Sequence, residues 1–134
     1  MFLKKPYQCE IMISPKVYEQ QINDLEIEGM EISPNNSDDA NVILKNLLNI
    51  EDILQRIRYN VRMDIRAIRK DYINNVREIE NSKKSIKIKK KDKRNLIEKR
   101  DVDIVPYEDL EYILDDYLRQ IDLAKNYIID YLKQ

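Results

Sequence analysis

Apolar side chains recur at Ile43, Leu47, Ile50, Leu54, Ile57, Val61, Ile65, Ile68, Tyr72, Val76 and Ile79, always three or four residues apart. That is the period of one face of an α-helix. The first part keeps a heptad spacing. From Leu54 onward Leu54, Ile65 and Val76 recur every eleven residues, which holds the stripe nearly straight. Asn36 or Ser37 can cap the start, and Asp38 and Asp39 suit the positive end of the helix dipole. The pattern predicts a long helix over 36–82. A second stripe, Tyr107, Leu110, Leu114, Tyr117, Ile121, Ala124, Ile128 and Tyr131, predicts a C-terminal helix over 106–133. Ile113, Leu118, Leu132 and Ile129 widen its apolar face, which suits packing among several helices. Pro106 is placed as the first helical residue, with Glu108, Asp109 and Glu111 in the first turn.

Residues 1–35 read as a small mixed α/β segment, strand–helix–strand. Ile11 and Ile13 alternate with Glu10 and Met12 over Cys9–Ser14, and Leu25 and Ile27 alternate with Glu26 and Glu28 before Gly29, which allows a turn. Between them Ser14-Pro15 is a helix start, and Val17, Tyr18, Gln21, Ile22 and Leu25 fit about three turns. The expected fold is mainly α: two long amphipathic helices in an antiparallel hairpin or coiled-coil-like bundle, with the mixed segment attached. Residues 83–105 form a basic connector between the two helices, compatible with a β-hairpin, a helical continuation or a mobile link.

At 1.5 Å per residue the first helix spans roughly 65 Å and the second roughly 40 Å. Either the longer helix breaks or another copy of the chain covers the rest of its stripe; with no obvious breaker between Pro34 and Pro106, a homodimer is the simplest closed form. The helix–helix interface is expected to use Leu54, Ile57, Val61, Ile65, Ile68, Tyr72, Leu114, Tyr117, Ile121 and Ile128.

Composition supports long helices. The 134 residues contain one glycine and four prolines, and neither type occurs between Pro34 and Pro106. Tight turns of β-rich folds draw on glycine for left-handed backbone. A single cysteine, Cys9, forms no intrachain disulfide. The start lacks the apolar run of a signal peptide, and no stretch approaches a membrane span. The expectation is a cytoplasmic protein that does not engage a membrane.

Two features carry candidate chemistry. Residues 83–100 hold ten basic and two acidic side chains, so the segment carries +8 against −9 on the rest of a chain of net charge −1. Lys83, Lys84, Lys87, Lys89, Lys90, Lys91, Lys93 and Arg94 could contact nucleic-acid phosphates. A solvated connector is the bland alternative. No aromatic lies between Tyr72 and Tyr107, which argues against stacking on single-stranded bases. The second feature is Arg58, Arg62, Arg66 and Arg69 beside the first stripe, with Glu108, Glu111, Asp115 and Asp122 on the C-terminal helix. Pairing across the seam between the helices would fix their register, and an external anion is the alternative ligand.

Catalysis has little to stand on. The chain has no histidine, too few glycines for a phosphate loop, and a cysteine without a base. A magnesium site from Glu108, Glu111 and Asp115, as all-α phosphohydrolases use, is the residual enzymatic reading. Of the nine tyrosines, Tyr72, Tyr107, Tyr117 and Tyr131 fall on the apolar stripes, as packing residues do. The reading is a non-catalytic structural or protein-interaction protein acting as a helical homo-oligomer, with no cofactor. Its alternative is a nucleic-acid-binding protein using 83–100, and another protein could also be the partner.

Overall fold

The computed structural model describes residues 12–134. Three helices account for most of them: α1 (Pro15–Asn23), α2 (Ser37–Asn81) and α3 (Ile86–Leu132), with a 3-10 turn at Ile27–Gly29 between the first two. The fold is a three-helix bundle in which α2 and α3 run antiparallel and α1 packs against them. It therefore replaces the expected two-helix hairpin or coiled coil.

No strand occurs among the described residues, so the mixed α/β segment is also corrected. Cys9–Ser14 lies partly outside those residues, and Met12–Ser14 pairs with no neighbour as a strand would. Over Leu25–Ile32 the alternation has another cause. Leu25, Ile27 and Met30 turn inward onto the core from irregular backbone, while Glu28 reaches the Tyr117 hydroxyl. The left-handed residue of this turn is Glu26 (φ 52°), whereas Gly29 keeps negative φ.

The larger correction concerns the basic connector. α2 ends at Asn81, four residues follow, and α3 begins at Ile86, twenty residues ahead of the expected start. Two serines make this turn without glycine or proline. Ser82 Oγ donates to the Ile79 carbonyl at 2.7 Å, and Ser85 Oγ accepts from the Ile88 N–H at 3.3 Å. These bonds satisfy groups that helix ends leave unpaired. Asn36 caps α2 in the same way, accepting from the Asp39 N–H at 2.8 Å. Pro106 lies inside α3, where it cannot donate to the Val102 carbonyl. Both residues are exposed, so water can satisfy the freed group.

α2 has 45 residues and α3 has 47, so the two long helices match in length. The mismatch that called for a second copy along the main stripe is gone. Leu47, Ile50, Leu54, Ile57, Val61, Ile65 and Ile68 of α2 meet Ile104, Tyr107, Leu110, Leu114, Ile121 and Ile128 of α3, with Tyr18 and Ile22 of α1 completing the core. Beyond it, no residue from 69 to 103 is buried. The turn end of the bundle is thus a thin two-helix extension. Polar contacts hold it together: Lys93 to Glu80 at 3.6 Å, Lys84 to Asp92 at 3.0 Å, and the Arg100 guanidinium 4.6 Å above the Tyr72 ring.

Candidate interaction surfaces

One flank of the α2–α3 seam is lined by ion pairs. Arg69 meets Glu108 at 3.6 Å, Arg62 meets Glu111 at 2.9 Å, Arg58 meets Asp115 at 2.9 Å, and Lys125 meets Glu51 at 2.7 Å. Arg62 donates a well-aligned hydrogen bond. The buried Arg58 Nε is close to its carboxylate but out of line for one. Three of the four arginines and three of the four acids from the sequence are brought together here. Arg66 is exposed and absent from the ladder, and Asp122 approaches Lys125 on its own helix at 3.8 Å. Glu108, Glu111 and Asp115, the carboxylates of the residual magnesium reading, each face an arginine. Among the described residues no cluster of three metal-ligating side chains occurs.

The other flank is closed by α1 around a buried carboxylate. Asp64 is fully buried among apolar neighbours. Its Oδ2 accepts from the Tyr18 hydroxyl at 2.6 Å and from the Ile13 N–H at 3.3 Å, while Oδ1 has no hydrogen-bond partner among the described residues. The Tyr107 hydroxyl donates to the Ile13 carbonyl at 2.7 Å, and the Tyr18 and Tyr107 rings meet edge-on with centroids 6.4 Å apart. Burial pushes the Asp64 carboxyl above the usual carboxylate range, outweighing the two donors that pull it down. Burial and the neighbouring carboxylate also push the Tyr18 hydroxyl upward. Sequence reading missed this group, although Asp64 lies seven residues after Ile57 and so falls within the apolar stripe.

The basic segment is an ordered helical end. Lys84 and Lys93 are engaged in the pairs above, and Lys89 Nζ donates to the Glu80 carbonyl at 3.0 Å. Lys83, Lys87, Lys90, Lys91 and Arg94 are exposed and carry no ion pair among the described residues.

Two outer faces were not anticipated. On α3, Val102 (74% exposed), Val105, Tyr112 (78% exposed), Leu123 and Tyr127 stay uncovered. With Lys87, Lys91, Arg94, Glu98, Asp109 and Asp116 they follow helical spacing along the side opposite the α2 seam. On α2, Arg66, Lys70 and Arg77 are exposed and lie along the side away from α3, with Tyr59 at one end and Lys83 just beyond the other. The only acids between Asp52 and Glu78 are Asp64 and Asp71. Both lie on the α1 flank, the latter beside a cleft of about 220 Å³ with Met12, Ala67 and Tyr72.

A shallower groove of about 470 Å³ runs between α1 and α3, with Ile22 and Ile113 on its floor and Glu19, Glu28 and Asp116 at its edge. No helix among the described residues is long and apolar enough to cross a membrane. Compared with known proteins, the chain matches no family model, no curated protein and no solved structure.

Proposed function

We propose that this chain is a non-catalytic structural protein that works as a homodimer, joined through the outer face of α3. The apolar residues left on that face carry the reading. From Leu47 to Ile68 the main stripe is buried within one chain, yet Val102, Val105 and Tyr112 remain in helical register in water. Uncovered apolar side chains that share one side of a helix suit an interaction site.

The charges on the same face favour a second copy as its occupant. Lys87, Lys91 and Arg94 lie toward one end and Asp109 and Asp116 toward the other, where Asp116 also pairs with Arg119 of its own helix. Antiparallel packing about a two-fold axis near Val102 sets Arg94 against the partner's Asp109. The same register sets Lys91 against the partner's Tyr112 and Lys87 against the partner's Asp116. Each contact then occurs twice, as an isologous interface requires. Opposite charges at its ends set orientation and suppress the parallel arrangement.

Light scattering of the full chain tests this. A dimer that Val105→Glu with Tyr112→Glu converts to a monomer of unchanged helicity is the expected result. Two reversed-charge variants, Lys87→Glu/Lys91→Glu/Arg94→Glu and Asp109→Lys/Asp116→Lys, should each dimerise poorly alone and associate with each other when mixed. A wild-type chain that stays monomeric at its highest soluble concentration overturns the reading.

A further inference from the structure

We infer that the outer face of α2 is a binding site for the phosphodiester backbone of a nucleic-acid duplex, with Arg66, Lys70, Arg77 and Lys83 as its contacts. This site is separate from the basic residues that the proposed dimer uses, and it lies on the opposite side of the bundle.

Most arginines of α2 are occupied. Arg58, Arg62 and Arg69 face carboxylates of α3, and Arg56 pairs with Asp52 one turn before it. Arg66, Lys70 and Arg77 have no ion pair among the described residues, although carboxylates are abundant in the chain. The arrangement separates the charges by face. Asp64 and Asp71 are drawn to the α1 flank, and Glu108, Glu111 and Asp115 are held in the seam by other arginines. The outer face from Gln55 to Arg77 is thereby left without a carboxylate.

From Arg66 to Arg77 this face runs about 17 Å along the helix, and Lys83 is exposed in the turn that follows. Fixed cations in a row match a polyanion whose charges also lie in a row. A duplex carries one phosphate per roughly 1.7 Å of its axis, and each cation placed against it releases a condensed counterion. Arginine suits a phosphate particularly well, since its fork can bond two oxygens at once. A bilayer would need an apolar face to insert, and the main apolar stripe of α2 is buried against α3. Single strands would need a series of stacking aromatics, whereas Tyr59 is the lone aromatic of this face and Tyr72 lies under Arg100.

The experiment is a fluorescence-anisotropy titration of the full chain against labelled mixed-sequence DNA and RNA duplexes across a salt series. Anionic phosphatidylserine vesicles serve as the competing probe. Binding should weaken steeply with salt. Arg66→Glu/Lys70→Glu/Arg77→Glu should bind at least tenfold more weakly, and its salt slope should fall by roughly three, one counterion per lost contact. Lys16→Glu/Lys99→Glu/Lys133→Glu, at exposed positions of α1, α3 and the C-terminus, makes the same change in net charge away from the face and should bind within a few-fold of wild type. Absent duplex binding at low salt overturns the proposal. So does equal loss in both triple variants, or tighter retention on vesicles than on either duplex.

Discussion

Asp64 shows how a single residue can contradict its surroundings and still be specified by them. It occupies a core position of α2, and its two hydrogen bonds reach Tyr18 and the Ile13 backbone, 46 and 51 residues away in sequence. The stripe alone reveals a carboxylate in apolar register. Its partners are invisible, because neither Tyr18 nor Ile13 carries a local sign of a bond to α2. Burial raises its native pKa above the ordinary 3.8, so the unfolded chain gives up this proton at a lower pH than the native chain does. Stability from this group is therefore full below the ordinary value and declines as pH rises toward the native one. Asp64→Asn removes the titration and keeps the shape. In thermal melts the wild type should lose ground to Asp64→Asn as pH rises from about 4, with the difference levelling off above the native pKa. A difference that stays constant across that range would mean the carboxylate has no raised native pKa.

At the scale of elements, legibility followed the apolar face. α2 was readable almost end to end because its stripe is regular, and the α3 side of the core was readable from Tyr107 onward for the same reason. The first twenty residues of α3 were not. Of their apolar side chains, Ile86, Ile88, Ile97, Val102 and Val105 are exposed, so too few face the core to leave a period to detect. Good helix formers such as lysine, arginine and glutamate hold that part instead, with the serine cap at Ser85 as its one start signal. The seam ladder was half legible for a related reason. Spacing places arginines beside the stripe, yet it cannot tell Arg62, which reaches Glu111, from Arg66, one turn on and facing outward. These half-exposed pairs contribute about 0–1 kcal/mol each, so they tune register around a core formed by apolar packing. Local stability should follow burial. Amides of 73–80 and 89–100 should exchange with solvent much faster than those of 50–65 and 110–125, because the thin extension can open while the core stays closed. Uniform protection from Ile50 to Ile79 would show that the polar contacts at the turn suffice to couple it to the core.

The whole molecule differs most from its sequence reading in what is left over once the helices pair. Two long helices of nearly equal length satisfy each other, with α1 covering one flank of the seam. The dimer argument therefore moves off the main stripe. It now rests on the outer face of α3, which was not legible because an exposed apolar residue is ordinary until its neighbours are known to share one side. That side lies opposite the basic face of α2. Pairing two chains through α3 would turn both basic faces outward in opposite directions, and such a dimer could hold one duplex on each side. Donor-labelled and acceptor-labelled duplexes should then show energy transfer when the wild-type chain is added at low salt. Val105→Glu/Tyr112→Glu should keep single-duplex binding and lose the transfer. Arg66→Glu/Lys70→Glu/Arg77→Glu should lose binding and transfer together. Transfer that survives in the monomeric variant would place the bridging within one chain, between the α2 face and the exposed lysines of the turn, and would remove the need for a dimer.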